Sequence, residues 1–306
     1  MSRPPDQDPP PGSPTPDRPA QYAVGPAEAV ARRPVGATES AGASRVWWDA
    51  EAAEYYREHH DILGDDRLMW GPEGVYESEL RLLGDLAGRQ VLEFGAGAAQ
   101  GSRWCAAQGA RVVATDISGA MLRQGCALDR AVPLPTGASH KSGGTGGPTR
   151  APAYVQCDAA RLPFPDACFD TAFSAYGAVP FVADSAGLLR EVSRVLRPGG
   201  LLVFSVSHPV RWALPDVPGE AGLTVRHSYF DRTPYVEEDA TGRATYVEHH
   251  RTLGDRVREI VGAGLRLTDL VEPEWPEGAT HEWGGWSALR GSLVPGTAIF
   301  VARKPS

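Results

Sequence analysis

Two acidic residues and two glycines stand at a spacing that suits a nucleoside ligand. Glu93 lies in the apolar run that leads into the turn Gly95-Ala96-Gly97, and Asp116 ends the next apolar run. Glycine lets the backbone approach a ligand where a Cβ atom would collide, and a terminal Asp can accept hydrogen bonds from both ribose hydroxyls. The segment therefore predicts a nucleoside-binding βαβ unit. Its spacing fits both a dinucleotide and the adenosyl part of S-adenosylmethionine (SAM).

Two details of the turn favour SAM over a dinucleotide. Glu93 precedes Gly95 by two residues, where its carboxylate would repel a pyrophosphate but can help to order the loop beside a cationic ligand. The third glycine of the Gly-x-Gly-x-x-Gly pattern is also displaced, because Gln100 stands in its place and Gly101 follows one residue late.

Later segments continue this pattern in a fixed order. The stretches that carry it are Val91–Gly97, Val113–Ser118 with Met121 and Leu122, Cys157–Asp166 with Phe169 and Asp170, and Glu191–Gly200. Over residues 88–206 the series resembles the class I SAM-dependent methyltransferases, of the small-molecule type with a methyltransferase domain 11/25-like sequence. An insertion at 132–151 departs from the family pattern.

The resemblance implies a role for each residue of the first two motifs. Glu93, Gly95 and Gly97 would form the turn beside the methionine part of SAM. Asp116 would bind the ribose hydroxyls, and Ile117 would pack on the adenine.

The later motifs would complete the cofactor site. Asp158 would meet the adenine amino group, with the Ala159 backbone beside it. The backbone near Ser174 and the Tyr176 side chain end a strand where a sheet of this type opens to ligand, so they would lie close to the sulfonium.

A catalytic base is required only if the methyl acceptor must lose a proton, since in-line displacement depends mainly on positioning. His208 is the candidate, because it follows the apolar run 201–206 and so ends a strand over the pocket. The alternative is that His208 caps the strand through a backbone hydrogen bond. No metal site is expected, because the adjacent histidines at 59–60 and at 249–250 point to different sides.

The elements around these motifs alternate between apolar runs and amphipathic segments. This order predicts an α/β fold, a Rossmann-like doubly wound seven-stranded sheet with helices on both faces. Residues 45–87 would form an N-terminal helical lid, with a helix over 45–64 and another over 76–85. Its aromatic side chains either pack in the core or face the ligand, with Tyr56 and Trp70 as the candidates for the second role.

Composition shifts divide the chain into a tail and one domain. Residues 1–44 are rich in Pro, Ala and Gly and predict a disordered tail, and 45–306 form the SAM-dependent methyltransferase domain. Within it, 132–151 predict a flexible insertion and 209–250 a substrate-side insertion. Trp275, Trp283 and Trp286 either wall an acceptor pocket or pack across the sheet edge.

Charge and composition narrow the function. The chain has 306 residues and a formal net charge of −8, which argues against nucleic acid as the main ligand. No segment predicts a membrane span or a signal peptide, so a cytoplasmic protein with reduced cysteines is expected.

We therefore expect methyl transfer from SAM to a small-molecule acceptor. The alternatives are methylation of RNA or protein, a SAM-binding protein without turnover, and a nicotinamide-dependent oxidoreductase.

Overall fold

The computed structural model of the protein describes residues 29–131 and 150–306. Its strands are β1 (Ala29–Arg32), β2 (Gln90–Phe94), β3 (Arg111–Asp116), β4 (Ala153–Gln156), β5 (Phe169–Ala175), β6 (Leu196–Ser207), β7 (Tyr235–Glu238), β8 (Ala244–Glu248), β9 (Arg266–Val271) and β10 (Thr297–Arg303). Its α-helices are α1 (Ala37–Leu63), α2 (Glu77–Leu80), α3 (Gln100–Ala107), α4 (Gly119–Ala131), α5 (Ser185–Val195), α6 (Leu253–Gly262) and α7 (Ala288–Gly291). Short 3₁₀ helices cover Val179–Phe181, Pro209–Ala213 and Glu220–Leu223.

Seven strands form the main sheet, in the order β4-β3-β2-β5-β6-β10-β9. Strands β2 to β6 pair in parallel, and β10 runs antiparallel to both β6 and β9. The strand order reverses direction between β2 and β5, and ligands of such sheets bind at the carboxyl ends beside this reversal. The predicted seven-stranded, doubly wound fold is confirmed.

Apolar residues cover both faces of this sheet, as parallel strands require. Leu92, Ala172 and Leu202 face one side, where α5 and Ile260 of α6 pack on them. Neighbouring strand residues such as Val91 and Phe173 face the other side and pack on α3 and on residues 68–86. The two packed faces fix the strand ends that carry the predicted motifs.

A second, three-stranded sheet of order β1-β7-β8 stands beside α1 at one end of the molecule. The hairpin of β7 and β8 lies within the predicted substrate-side insertion, and β1 pairs with β7 from the N-terminal side. Residues 29–44 therefore contain a strand and the first turns of α1, which differs from the predicted tail. Ser40 explains the longer helix, because its hydroxyl is buried against the Phe181 carbonyl and His249.

The remaining predictions concern the bounds of a helix, of the tail and of the insertion. The predicted helix over 76–85 is limited to α2, because Arg81 adopts φ +52° and the buried carboxylate of Glu77 accepts the backbone N–H groups of Leu82 and Leu83. The parts of the predicted tail and insertion at 1–28 and 132–149 lie outside the described residues. None of the described helices combines the length and the apolarity that crossing a bilayer requires.

Candidate functional site

A cavity of about 1110 Å³ opens at the carboxyl ends of β2, β3, β5 and β6, beneath α1 and the small sheet. A typical pocket for one drug-sized ligand measures about 300–1,000 Å³, so this cavity is at the large end of that range. Asp49 fixes α1 over this cavity, because its carboxylate accepts hydrogen bonds from Ser118 Oγ and from the Ala120 N–H at the start of α4.

The glycine turn lies in the cavity wall and needs glycine for two reasons. Gly95 and Gly97 have φ values of +66° and +54°, in the left-handed region that favours glycine. A Cβ atom on Gly95 would lie 2.4 Å from the backbone nitrogen of Ala178, whereas one on Gly97 would meet nothing within 4 Å. Gly95 thus lets two loops touch, and Gly97 leaves open space facing a ligand.

The displaced glycine of the motif also has a structural cause. A Cβ atom on Gly101 would lie 2.6 Å from Glu93 Oε1 and 2.9 Å from the Phe173 ring. Gly101 therefore allows α3 to pack directly on the Glu93 carboxylate, rather than serving a pyrophosphate.

Asp116 organises the turn from the end of β3. Its two carboxylate oxygens accept the backbone N–H groups of Gly97 and Ser118, each at 2.8 Å. Burial raises the pKa of this carboxyl group, and the two backbone donors counteract that rise. Ile117 lines the cavity next to it.

Glu93 is buried beside the turn and accepts a hydrogen bond from Ser102 Oγ. Burial raises the pKa of Glu93 to about 7. A cationic group that binds beside it would favour the ionised carboxylate. This is the environment expected beside the amino group of a methionine.

Asp158 and Ala159 line the cavity on the β4 side. The Asp158 carboxylate accepts the N–H of Ala160 at 2.9 Å, which fixes the loop that follows β4. The structure thus brings these two residues to the same cavity as Asp116, as the resemblance implies.

Ser174 and Tyr176 occupy different positions around the end of β5. Tyr176 lines the cavity and adopts φ +60°, with its N–H bonded to Ser205 Oγ and its hydroxyl to the Gly296 carbonyl. Ser174 is fully buried behind the wall, and its hydroxyl has no partner among the described residues. Of these two residues, only Tyr176 therefore lines the cavity.

His208 lies outside the cavity wall. Its Nδ1 accepts the N–H of Val210 at 3.2 Å, and its Nε2 lies 2.8 Å from Glu272 Oε1 on the far side. Burial lowers the pKa of the imidazole. With both ring nitrogens engaged and neither facing the cavity, the geometry favours the capping role over the predicted role as base.

The aromatic residues for which the sequence left two interpretations open fall into two groups, those that line the cavity and those that pack elsewhere. Trp70 is fully buried, packs on Phe173 and donates to Glu77, so of the two interpretations the structure favours core packing over a position facing the ligand. Tyr56 does line the cavity, with its hydroxyl bonded to Asp65. At the C-terminal end, residues 283 and 286 line the cavity, whereas the tryptophan at 275 stacks on a histidine.

The sequence predictions missed the far end of the cavity, which has an aromatic chamber made of Trp47, Trp48, Phe181 and Tyr246. Their ring centroids form a closed circuit, at 4.5 Å, 5.7 Å, 5.8 Å and 5.2 Å between successive members. Trp47 and Trp48 come from α1, Phe181 from the loop after β5, and Tyr246 from β8. The chamber thus joins the cofactor-side loop to the small sheet.

A Tyr–Glu quartet lies on the cavity face of the β7–β8 hairpin, and consists of Tyr235, Glu237, Tyr246 and Glu248. The Tyr235 hydroxyl donates to Glu237 at 3.0 Å, and the Tyr246 hydroxyl donates to Glu248. The sequence signal for it was the repeated Tyr-Val-Glu on either side of a Thr-Gly turn, a period-two pattern typical of a hairpin.

Arg211 connects the quartet to the loop after β6. Its guanidinium lies 2.9 Å from Asp216 and 3.6 Å from Glu248, and it stacks over the Trp212 ring. The two carboxylates raise the pKa of Arg211, although burial opposes them. This end of the cavity therefore combines aromatic walls with paired charges. Among the described residues, no cluster of His, Cys, Asp and Glu is arranged to hold a metal ion.

Comparisons with known proteins find similar sequences and similar folds. Residues 92–204 match a family model described as a methyltransferase domain. A demethylmenaquinone methyltransferase of Corynebacterium urealyticum is 32% identical over 240 residues, which covers 78% of this chain and 86% of that protein. One from Mycolicibacterium vanbaalenii is 40% identical over 114 residues, 37% of this chain and 40% of that protein. The solved structure of a SAM-dependent methyltransferase from Mesorhizobium loti is 25% identical with a TM-score of 0.54, and the match covers 73% of this chain and 94% of that one.

Proposed function

This chain belongs to the class I SAM-dependent methyltransferases, and we propose that it methylates a small organic molecule held in the aromatic chamber. SAM is its cofactor, and when bound it supplies an electrophilic methyl group on a sulfonium. The observation that carries the proposal is the single cavity that joins the SAM motifs to the chamber.

The cofactor half fits SAM in both shape and charge. The left-handed turn at Gly95 and Gly97 leaves open backbone surface, and Glu93 offers a buried carboxylate to the ligand's cationic amino group. In this proposal Asp116 binds the ribose hydroxyls with the lone pairs that its two backbone donors leave free. Asp158 and Ile117 hold the adenine.

The chain's own contribution to the reaction is mainly positioning. A displacement at the methyl carbon requires the acceptor atom, the carbon and the sulfur in line, and holding two reactants in that geometry supplies much of the rate. Tyr176 lines the cavity that the glycine turn and the chamber share, and its N–H is held by Ser205 Oγ, so we assign it to orient the reacting groups. The rings around the chamber exclude water from the acceptor.

A small acceptor fits better than RNA or protein. Residues of α1 and of the β7–β8 hairpin line this end of the cavity and contact each other across it, which suits a small molecule better than an extended polymer. The net charge of −8 also opposes binding to a phosphate backbone. Demethylmenaquinone, which the relatives' names give as their acceptor, is one candidate because a flat ring suits aromatic walls.

The test is transfer of label from [methyl-¹⁴C]SAM. Parallel reactions contain a deproteinised small-molecule extract, demethylmenaquinol, total RNA, or denatured cell protein. We expect enzyme-dependent label in one of the small-molecule reactions, together with S-adenosylhomocysteine (SAH). Label in RNA or protein alone would contradict the proposal, as would SAH binding without transfer to any of the four.

A further inference from the structure

We propose that the acceptor is an amine that binds as an ammonium cation, held by the aromatic chamber and by the carboxylates of the Tyr–Glu quartet. This inference rests on the proposed function and narrows its acceptor to one chemical class. The structural basis is the meeting of aromatic faces and carboxylates at one end of the cavity.

The aromatic chamber has the composition that binds organic cations. Two tryptophans, a phenylalanine and a tyrosine meet there, and successive ring planes are inclined by 81°, 84°, 72° and 57°. All four residues line the cavity, so together they form one aromatic wall of it. The face of an aromatic ring carries negative electrostatic potential, which attracts a desolvated cation placed over it.

The carboxylates of the hairpin lie on the same side of the cavity. Tyr246 belongs to both the chamber and the quartet, so Glu237 and Glu248 flank the aromatic walls directly. Glu237 is 8% exposed and keeps the hydrogen bond from Tyr235. A carboxylate has about four acceptor positions, so this bond does not prevent it from accepting an N–H of a bound amine.

An anionic acceptor would meet the wrong charges at this end. Arg211, the arginine that contacts the quartet, is already shared between Asp216 and Glu248. Arg32 also lines the cavity and lies 3.9 Å from Asp231, so a carboxylate or phosphate on the acceptor would have to compete with protein carboxylates for either guanidinium. A cationic amine instead adds positive charge where three cavity-lining carboxylates, those of Asp216, Glu237 and Glu248, outnumber the two arginines.

Ser44 gives a separate indication that a polar ligand group enters the chamber. It precedes Trp47 and Trp48 by three and four residues, so α1 presents all three on one face. Ser44 lines the cavity and is 6% exposed, and its hydroxyl finds no hydrogen-bond partner among residues 29–131 and 150–306. Such a buried hydroxyl can accept a hydrogen bond from an amine N–H of the ligand at little cost in free energy.

The quartet also supplies the proton balance that amine methylation requires. The bound ammonium gives one proton to Glu237, which frees the nitrogen lone pair. That pair forms the new N–C bond as the S–C bond breaks, and the S–C electron pair stays on sulfur to give neutral SAH. The product leaves as a methylammonium, and Glu237 returns its proton to solvent.

Three probes of equal ring size and different charge test the inference by binding alone. Benzylamine, benzyl alcohol and benzoate are titrated into the full-length protein saturated with SAH, at pH 7.5, by calorimetry. We expect benzylamine to bind about tenfold more tightly than benzyl alcohol, the equivalent of about 1.4 kcal/mol, and benzoate to bind most weakly. Equal affinities for the amine and the alcohol, or a preference for benzoate, would overturn the inference.

Two variants and a matched control connect that preference to the quartet. Glu237→Gln should abolish most of the preference for benzylamine while leaving SAH affinity unchanged. Tyr246→Leu, which keeps both carboxylates, should weaken benzylamine through loss of an aromatic face, and it provides a second test if the first variant misfolds. The control is Glu238→Gln, because Glu238 lies outside the cavity and bonds Arg33 instead. An unchanged preference in both cavity variants would contradict the assignment.

The outcomes separate this inference from the proposed function. Failure of SAH to bind the wild-type protein would overturn the methyltransferase site and this inference with it. SAH binding without a preference for the amine would overturn this inference alone, as would labelled transfer to demethylmenaquinol.

Discussion

Replacing Asp116 with asparagine should weaken SAH binding by a calculable amount. In the structure each carboxylate oxygen accepts one backbone N–H, from Gly97 or from Ser118, at 2.8 Å. A carboxylate has about four acceptor positions, so two remain for the ribose hydroxyls. Asparagine has one oxygen with two positions, and one of these stays bonded to a backbone N–H.

The variant therefore loses one hydrogen bond to the ribose and sets an NH₂ group against a backbone N–H. A hydrogen bond to a charged group contributes about 1.5–3 kcal/mol. Only the ribose bond differs between free and bound protein, so we expect SAH affinity to fall about 10- to 100-fold, at 1.4 kcal/mol for each factor of ten. The lost turn bond should appear separately, as a lower Tm of the ligand-free variant.

Calorimetric titration with SAH measures this effect, and Asp170→Asn is the matched control. Asp170 also accepts a backbone N–H, that of Gln90 at 2.8 Å, and bonds Arg197, but it lies at the opposite end of the sheet. Its variant should lose stability and keep SAH affinity. An Asp116→Asn protein that binds SAH within about twofold of wild type would refute the assigned ribose contact.

Four further predictions concern Gly95, Glu93 and His208. Gly95→Ala should lower stability by about 2 kcal/mol and SAH affinity at least tenfold, because φ is +66° and the new Cβ would press on Ala178; near-normal SAH titration and Tm would contradict this. Because the pKa of Glu93 is about 7 and the ligand's cationic amino group requires the ionised carboxylate, SAH binding should weaken as pH falls below 7. Glu93→Gln should remove most of this pH dependence of the SAH affinity. An unchanged pH dependence in the variant would exclude Glu93 as its source. In the ligand-free protein the pKa of Glu93 is about 7, whereas in the unfolded chain it is 4.5. The wild-type protein therefore loses stability as pH rises from 4.5 through 7, because the unfolded chain ionises first. Glu93→Gln cannot ionise, so its Tm relative to wild type should rise from about pH 5 to about pH 8. His208→Ala should cost about 1 kcal/mol of stability through the lost Val210 bond and leave SAH affinity unchanged; a selective loss of methyl transfer at unchanged Tm would return His208 to the acceptor side.

The cofactor half was predictable because its motifs are local in sequence. Gly95, Gly97 and Asp116 occupy strand ends that any doubly wound sheet brings to one edge. Asp158 follows the neighbouring strand, so its approach to the same cavity follows from the strand order. Even the late position of Gly101 had a local cause, its contact with Glu93.

The acceptor half was not predictable from local patterns. The aromatic chamber draws residues from α1, from the loop after β5 and from β8, elements that no single motif connects. Trp70 shows the same limit, since an aromatic residue in the predicted lid packs inward once Glu77 gives its indole N–H a buried partner. For His208, the end of an apolar run located the residue along the strand but not the side to which its ring turned.

The position of SAH in a crystal structure of its complex would test the account most directly. We predict ribose hydroxyls within hydrogen-bond distance of Asp116, the amino group beside Glu93, and the sulfur open to the chamber of Trp47, Trp48, Phe181 and Tyr246. An SAH molecule bound elsewhere, or bound here with its sulfur turned away from that chamber, would contradict the proposed methyl transfer.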